Sequence, residues 1–158
     1  MSFLKISGLI CLVLVAYLIS KGYRRFREER FLELEAFYRV LLRVKEDIRV
    51  YHSFRRVEPL EEFAPLLPLG FEGKSDVAGD LLGVVLHMNL LLKEKKMLSA
   101  SLHTLGDGNL ESEMEKIENI IENVKGILQK EEKDGKKSVD TFRIVLFTVV
   151  LSLVILLL

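Results

Sequence analysis

From Ile144 to Leu158 the chain reads IVLFTVVLSLVILLL and carries no charge. Backbone that meets hydrocarbon must satisfy its own N–H and C=O groups, and a helix does this within one segment. With Phe142 and an Arg143 that snorkels to the interface, about 17 residues are available, the lower limit for a bilayer span. A core helix of a small domain would show a polar stripe, but only Thr148 and Ser152 interrupt this surface. The other end behaves alike. Ile6 to Ile19, ISGLICLVLVAYLI, is uncharged, and Phe3 and Leu4 extend it past Lys5. A run of this length also fits the core of a signal peptide, but YLISKG is a poor cleavage site, so an uncleaved anchor is the preferred reading. The sequence therefore divides into an N-terminal anchor over 1–20, a middle over 21–141 and a C-terminal membrane helix over 142–158.

The flanking charges orient such a chain. Lys21, Arg24, Arg25, Arg27 and Arg30 follow the first run, while Lys130, Lys133, Lys136, Lys137 and Arg143 precede or open the second. Only Lys5 lies outside the pair. Excess lysine and arginine marks the cytoplasmic side, so the middle is expected in the cytoplasm with both termini on the far side.

The middle reads as all-α. Leu34, Phe37, Leu41, Val44, Ile48 and Tyr51 alternate steps of three and four, a heptad seam on an amphipathic helix. Phe31, Tyr38 and Val40 widen it. The helix is placed at about 23–55 and continues from the first run, since nothing between Lys21 and Arg30 breaks a helix except Gly22. All three prolines, Pro59, Pro65 and Pro68, fall in EPLEEFAPLLPLGFEG and make a bend. Pro59 suits the first turn of a short helix over Leu60 to Ala64. Ser75 or Asp76 then caps a helix at about 75–105, with Val77, Leu81, Val84, Met88 and Leu91 in heptad register. Lys95 interrupts that seam and Leu98, Leu102 and Leu105 resume it, which fits one bent helix or two. The last helix, at about 109–135, carries Leu110, Met114, Ile117, Ile121, Val124 and Leu128. QKEEKDGKKSVD then reads as a solvated stalk. The expected fold is an antiparallel helical bundle between two transmembrane helices.

One stretch raises a chemical alternative. Asp107, Asn109, Glu111 and Glu118 follow most of a calcium-loop spacing. Such a loop needs glycine at its sixth position, where this chain has Ser112, and must stay non-helical where the seam at Leu110 begins. A helix–turn–helix joint is the simpler reading. Gly106 or Gly108 closes one helix, Asn109 caps the next, and Glu111 and Glu113 suit its first turn. Elsewhere the residues offer no catalytic constellation. His52, His87 and His103 form no metal-binding helix pair, and His87 beside Met88 reads as a packing residue. Neither a Walker loop nor a dinucleotide fingerprint occurs. Cys11 is the single cysteine, so no disulfide framework exists. Lysine plus arginine and aspartate plus glutamate number 23 each, which gives no electrostatic reason to expect nucleic acid. The reading is a non-enzyme with no cofactor, no metal and no small-molecule substrate. Candidate partner surfaces are Arg55 and Arg56 beside the proline bend, and Lys93, Lys95 and Lys96 in KEKKM. Gly79 and Gly83 allow close helix packing.

At the turn the residues resemble a known family. Leu105, Gly106, Asn109, Glu113 and Ile117 fit the pattern L-G-x-x-[DN]-x-x-x-[QE]-x-x-x-I of the stage III sporulation protein AB family. Leu41, Val44 and Ile48 match its first-helix run, and Pro59 and Leu60 match the segment after it. The resemblance covers essentially the whole chain, with an anchored start and a leucine-rich tail. It departs in carrying Glu113 where glutamine is usual, and in having no glycine in the last run. The resemblance implies a cytoplasmic domain similar to the F-type platform protein of type II secretion systems. It further implies a place in the outer forespore membrane facing the mother cell, in the channel apparatus required for stage III of endospore formation. The implied partners are the membrane, a secretion-type ATPase and other channel components. A general membrane-tethered coiled-coil adaptor would share the same architecture without the ATPase.

Overall fold

The computed structural model describes residues 2–51, 77–106 and 109–157. Four helices occupy them: α1 (Ser2–Tyr51), α2 (Val77–His87), α3 (Leu92–Leu102) and α4 (Leu110–Leu157). No strand occurs among the described residues, so the all-α reading holds. The proline segment, Arg55, Arg56, the short helix at Leu60 to Ala64 and the caps at Ser75 or Asp76 lie outside the described residues, as do the side chains of Tyr51 and Val77.

The chain forms two units, residues 30–129 and the two ends together, 1–29 with 130–158. Among its described residues the first has one hydrophobic core. Its α1 face is Leu34, Phe37, Val40, Leu41, Val44 and Ile48; α2 adds Leu81, Val84, Val85 and Met88; α3 adds Leu98 and Leu102. Leu105 and, from α4, Ile117, Ile120, Ile121, Val124 and Ile127 complete it. The seam expected on α1 is therefore the buried one, and Val40 belongs to it. On α4 the buried stripe is shifted. Ile120 and Ile127 are buried, Met114 and Leu128 only partly so, and Leu110 is exposed. Leu110 is thus not part of the packing seam: it is the first residue of its helix, one position past the cap, and faces solvent.

Residues 75–105, read as one helix or two, contain two, separated by Met88–Leu91. This moves Leu91 out of the heptad seam. It adopts an extended conformation (φ −65°, ψ 147°) as the cap of α3 and is exposed. The stretch QKEEKDGKKSVD, read as a stalk after a helix ending near 135, is helical throughout, within an unbroken α4.

In the other unit, α1 and α4 run antiparallel. The Tyr23 ring stacks on Phe142 at 4.4 Å, and its hydroxyl bonds Ser138 at 2.8 Å. One turn along α1, Arg27 pairs with Glu131 at 2.9 Å. The apolar runs are mostly outward-facing. Val13, Leu14, Leu18, Ile144, Val149 and Leu151 are exposed, while among the described side chains of the runs Ala16 and Val150 are buried. Among the described residues one segment, Lys137–Ile155, is long and apolar enough to cross a membrane, with a mean hydropathy of 2.0. It begins before the expected 142 boundary. Arg24, bonded to Glu28 at 2.8 Å, has its pKa held above the ordinary arginine value by that hydrogen bond and the carboxylate charge, and stays cationic after the first run.

Candidate functional site

Among the described residues of 30–129, Arg30, Asp80 and Glu113 are the buried charged groups, and Arg30 and Glu113 belong to two polar features that lie where helices begin or end. The first is the elbow between α2 and α3. Nothing in MNLL is a helix breaker by itself. The break is held from α1, 56 positions away in sequence: the Glu33 carboxylate accepts from the Asn89 backbone N–H at 2.7 Å and from its side-chain amide at 2.8 Å. An asparagine anchored at both donors cannot continue α2, whose last i→i−4 bond is Met88 N–H to the Val84 carbonyl at 3.0 Å; the next, Leu90 N–H to the Met88 carbonyl at 2.9 Å, is a tight turn outside the helix.

The start of α3 is secured the same way. Glu94, in its first turn, accepts from the Leu91 N–H at 2.9 Å. Leucine has no oxygen to return a bond, so this is half of a capping box. The same carboxylate receives Arg30 Nη2 from α1 at 3.0 and 2.8 Å. Arg30 is 4% exposed and Glu94 14%, so the pair is largely removed from water. Lys95 donates to the Leu86 carbonyl at 2.7 Å and satisfies the end of α2. Lys95 is therefore engaged in the elbow, whereas Lys93 and Lys96 of the candidate partner surface are exposed. His87 is exposed too, and its Nδ1 bonds Gly83 of its own helix at 2.8 Å. The ring is satisfied by that bond, but it is exposed rather than packed as expected, because at the last residue of α2 it turns back along its own helix.

The second feature is the turn from Leu105 to Ile117. Gly106 has φ +99°, the left-handed conformation that opens to glycine at little cost. Its N–H donates to the Glu113 carboxylate at 2.9 Å, so the next helix reaches back to close the turn. Asn109 caps α4 by accepting the Ser112 N–H at 2.9 Å. Leu105 and Ile117 are buried on either side. Glu113 is also buried and pairs with Lys116 at 2.8 Å, and the Lys116 ammonium donates to the Thr104 carbonyl. All five residues of the turn pattern thus belong to one joint. Because α4 starts at Leu110, Glu111 and Ser112 are helical, and the calcium-loop conformation is not adopted. Asp107 and Gly108 lie outside the described residues. Among the described residues no three His, Cys, Asp or Glu side chains converge on a metal position.

The sequence places Arg30 only among the charges that flank the first run and gives no role to Glu33 or Glu94. A signal for Arg30 exists: it stands four residues before Leu34, in register with the buried stripe of α1. Glu113 likewise stands four before Ile117 on α4. These groups hold helices together and present a surface, and the Lys45 to Glu118 pair at 2.7 Å adds a partly exposed link between α1 and α4.

Comparison with models of known protein families, with curated proteins and with solved structures finds no match to this chain.

Proposed function

We propose that this chain is a non-enzymatic membrane platform component of the mother cell–forespore channel apparatus required for stage III of endospore formation. The observation that carries the reading is the Leu105–Ile117 joint. The turn pattern by which the sequence resembles the stage III sporulation protein AB family is met residue by residue with a physical role. Gly106 supplies the left-handed turn, Asn109 the cap, Glu113 the return bond, and Leu105 and Ile117 the flanking burial. The usual glutamine of the family at 113 would keep an acceptor for the Gly106 N–H.

In this reading both apolar runs anchor in the outer forespore membrane, and the helical middle faces the mother-cell cytoplasm. Arginines and lysines beside both runs support that orientation. The helical core offers surface rather than chemistry, and the function is to dock a secretion-type ATPase and other channel components at the membrane.

Deletion of the gene in its native host tests this. The expected result is arrest just after engulfment and loss of heat-resistant spores, restored by the intact gene. Normal spore yield and morphology would overturn the sporulation role and move the weight to a general membrane-tethered adaptor.

A further inference from the structure

The elbow that Arg30 and Glu33 hold in place carries an outward surface that the core does not use. Leu86 stands one residue before the end of α2, Leu91 is the extended residue and Leu92 opens α3; they are 55%, 56% and 70% exposed. Three exposed leucines within seven positions put apolar surface next to one another along the chain, and apolar surface gathered in one place marks an interaction site. Lys93 and Lys96 are exposed beside them, and Lys95 keeps its ammonium at the Leu86 carbonyl. The acidic residues of the same elbow are turned away. Glu94 is taken by Arg30 and the Leu91 N–H, and Glu33 by Asn89. The outward charge of the elbow is therefore basic, interleaved with leucine.

We propose that this elbow docks on an anionic lipid surface, its leucines entering the headgroup region and Lys93 and Lys96 meeting lipid phosphates. The inference rests on the reading of the N-terminal run as a membrane anchor. Leucine for the acyl boundary and lysine for the anionic headgroups is the composition of interfacial elements. An acidic protein would match the lysines, but chain connectivity favours the bilayer. Arg30, which holds the elbow, follows the last residue of the apolar run, Ile19, by roughly ten residues, and no conformation of that length reaches beyond about 40 Å. Anchoring the run keeps the elbow near the membrane at high effective concentration, so a small patch that would bind weakly by itself is enough. Docking there would fix the orientation of the helical domain over the bilayer.

The test uses the full chain with Cys11→Ser and Leu91→Cys, an environment-sensitive fluorophore at position 91, reconstituted into phosphatidylcholine vesicles with or without phosphatidylglycerol. The expected result is a blue-shifted emission, quenched by lipid-borne quenchers, in the anionic vesicles. Lys93→Gln with Lys96→Gln should lower the docked-to-undocked ratio about thirtyfold, and raised salt should mimic it. Leu92→Ser in the labelled chain should lower it further. A label that stays water-exposed in anionic vesicles overturns the proposal while leaving the anchor intact. Quenching that ignores lipid charge, salt and the lysines overturns it as well. A chain that fails to float with either vesicle sinks the anchor reading and this one together.

Discussion

Replacing Arg30 by leucine isolates what the elbow gains from its buried ion pair. The guanidinium is 4% exposed and meets both oxygens of Glu94, itself 14% exposed. Removing one partner of a buried pair costs about 3–5 kcal/mol because the other charge stays behind without it. Two effects reduce that figure. Glu94 keeps the Leu91 N–H and some contact with water. A leucine at position 30 extends the α1 stripe and returns about 1–2 kcal/mol by burial. The net loss expected is about 2 kcal/mol, or roughly thirtyfold in the local opening equilibrium. Glu94→Gln removes the carboxylate charge facing Arg30 and should cost a similar amount. The double variant keeps the amide oxygen for Leu91 and removes both members of this pair, so it should recover most of either loss. Hydrogen exchange on the full chain in detergent micelles reads this directly, at the amides of Asn89 to Lys95. Equal exchange in Arg30→Leu and in the double variant would refute the coupling, as would acceleration spread evenly over all four helices.

The turn should separate two roles of Glu113. Glu113→Gln keeps an acceptor for the Gly106 N–H and should change stability by less than about 1 kcal/mol, whereas Glu113→Ala leaves that donor without its acceptor and should cost about 1–3 kcal/mol in a denaturant titration. Gly106→Ala should cost about 1–2 kcal/mol by the same assay, since φ is +99° there. Val149→Arg, in the middle of Lys137–Ile155, should oppose insertion of that segment by about 2.5–3.5 kcal/mol and raise the fraction extracted from membranes by carbonate.

The α1 half of the core was legible because Leu34, Phe37, Leu41, Val44 and Ile48 keep strict register on one face. On α4 the same method chose one edge of a wide stripe. It took Leu110, Met114 and Leu128 and passed over Ile120 and Ile127, because so many apolar residues fit either line. The break at Met88–Leu91 was not legible in local residues. No glycine or proline marks it, and the group that stabilises it, Glu33, comes from another helix. Arg30 and Glu113 were visible but read as flanking and first-turn charges, when their register with the stripe marked them as inward. The Leu105–Ile117 joint was legible, since a glycine and an Asx cap announce a turn without help from distant residues.

Side-specific labelling tests the tethered arrangement most directly. In a Cys11→Ser background, single cysteines at Lys96, Ser2 and Leu158 would be reacted with a membrane-impermeant maleimide from each face of sealed vesicles. Position 96 should react only from the cytoplasmic face, and positions 2 and 158 only from the opposite face. Reaction of positions 96 and 158 from the same face would contradict a cytoplasmic helical domain held between two membrane anchors.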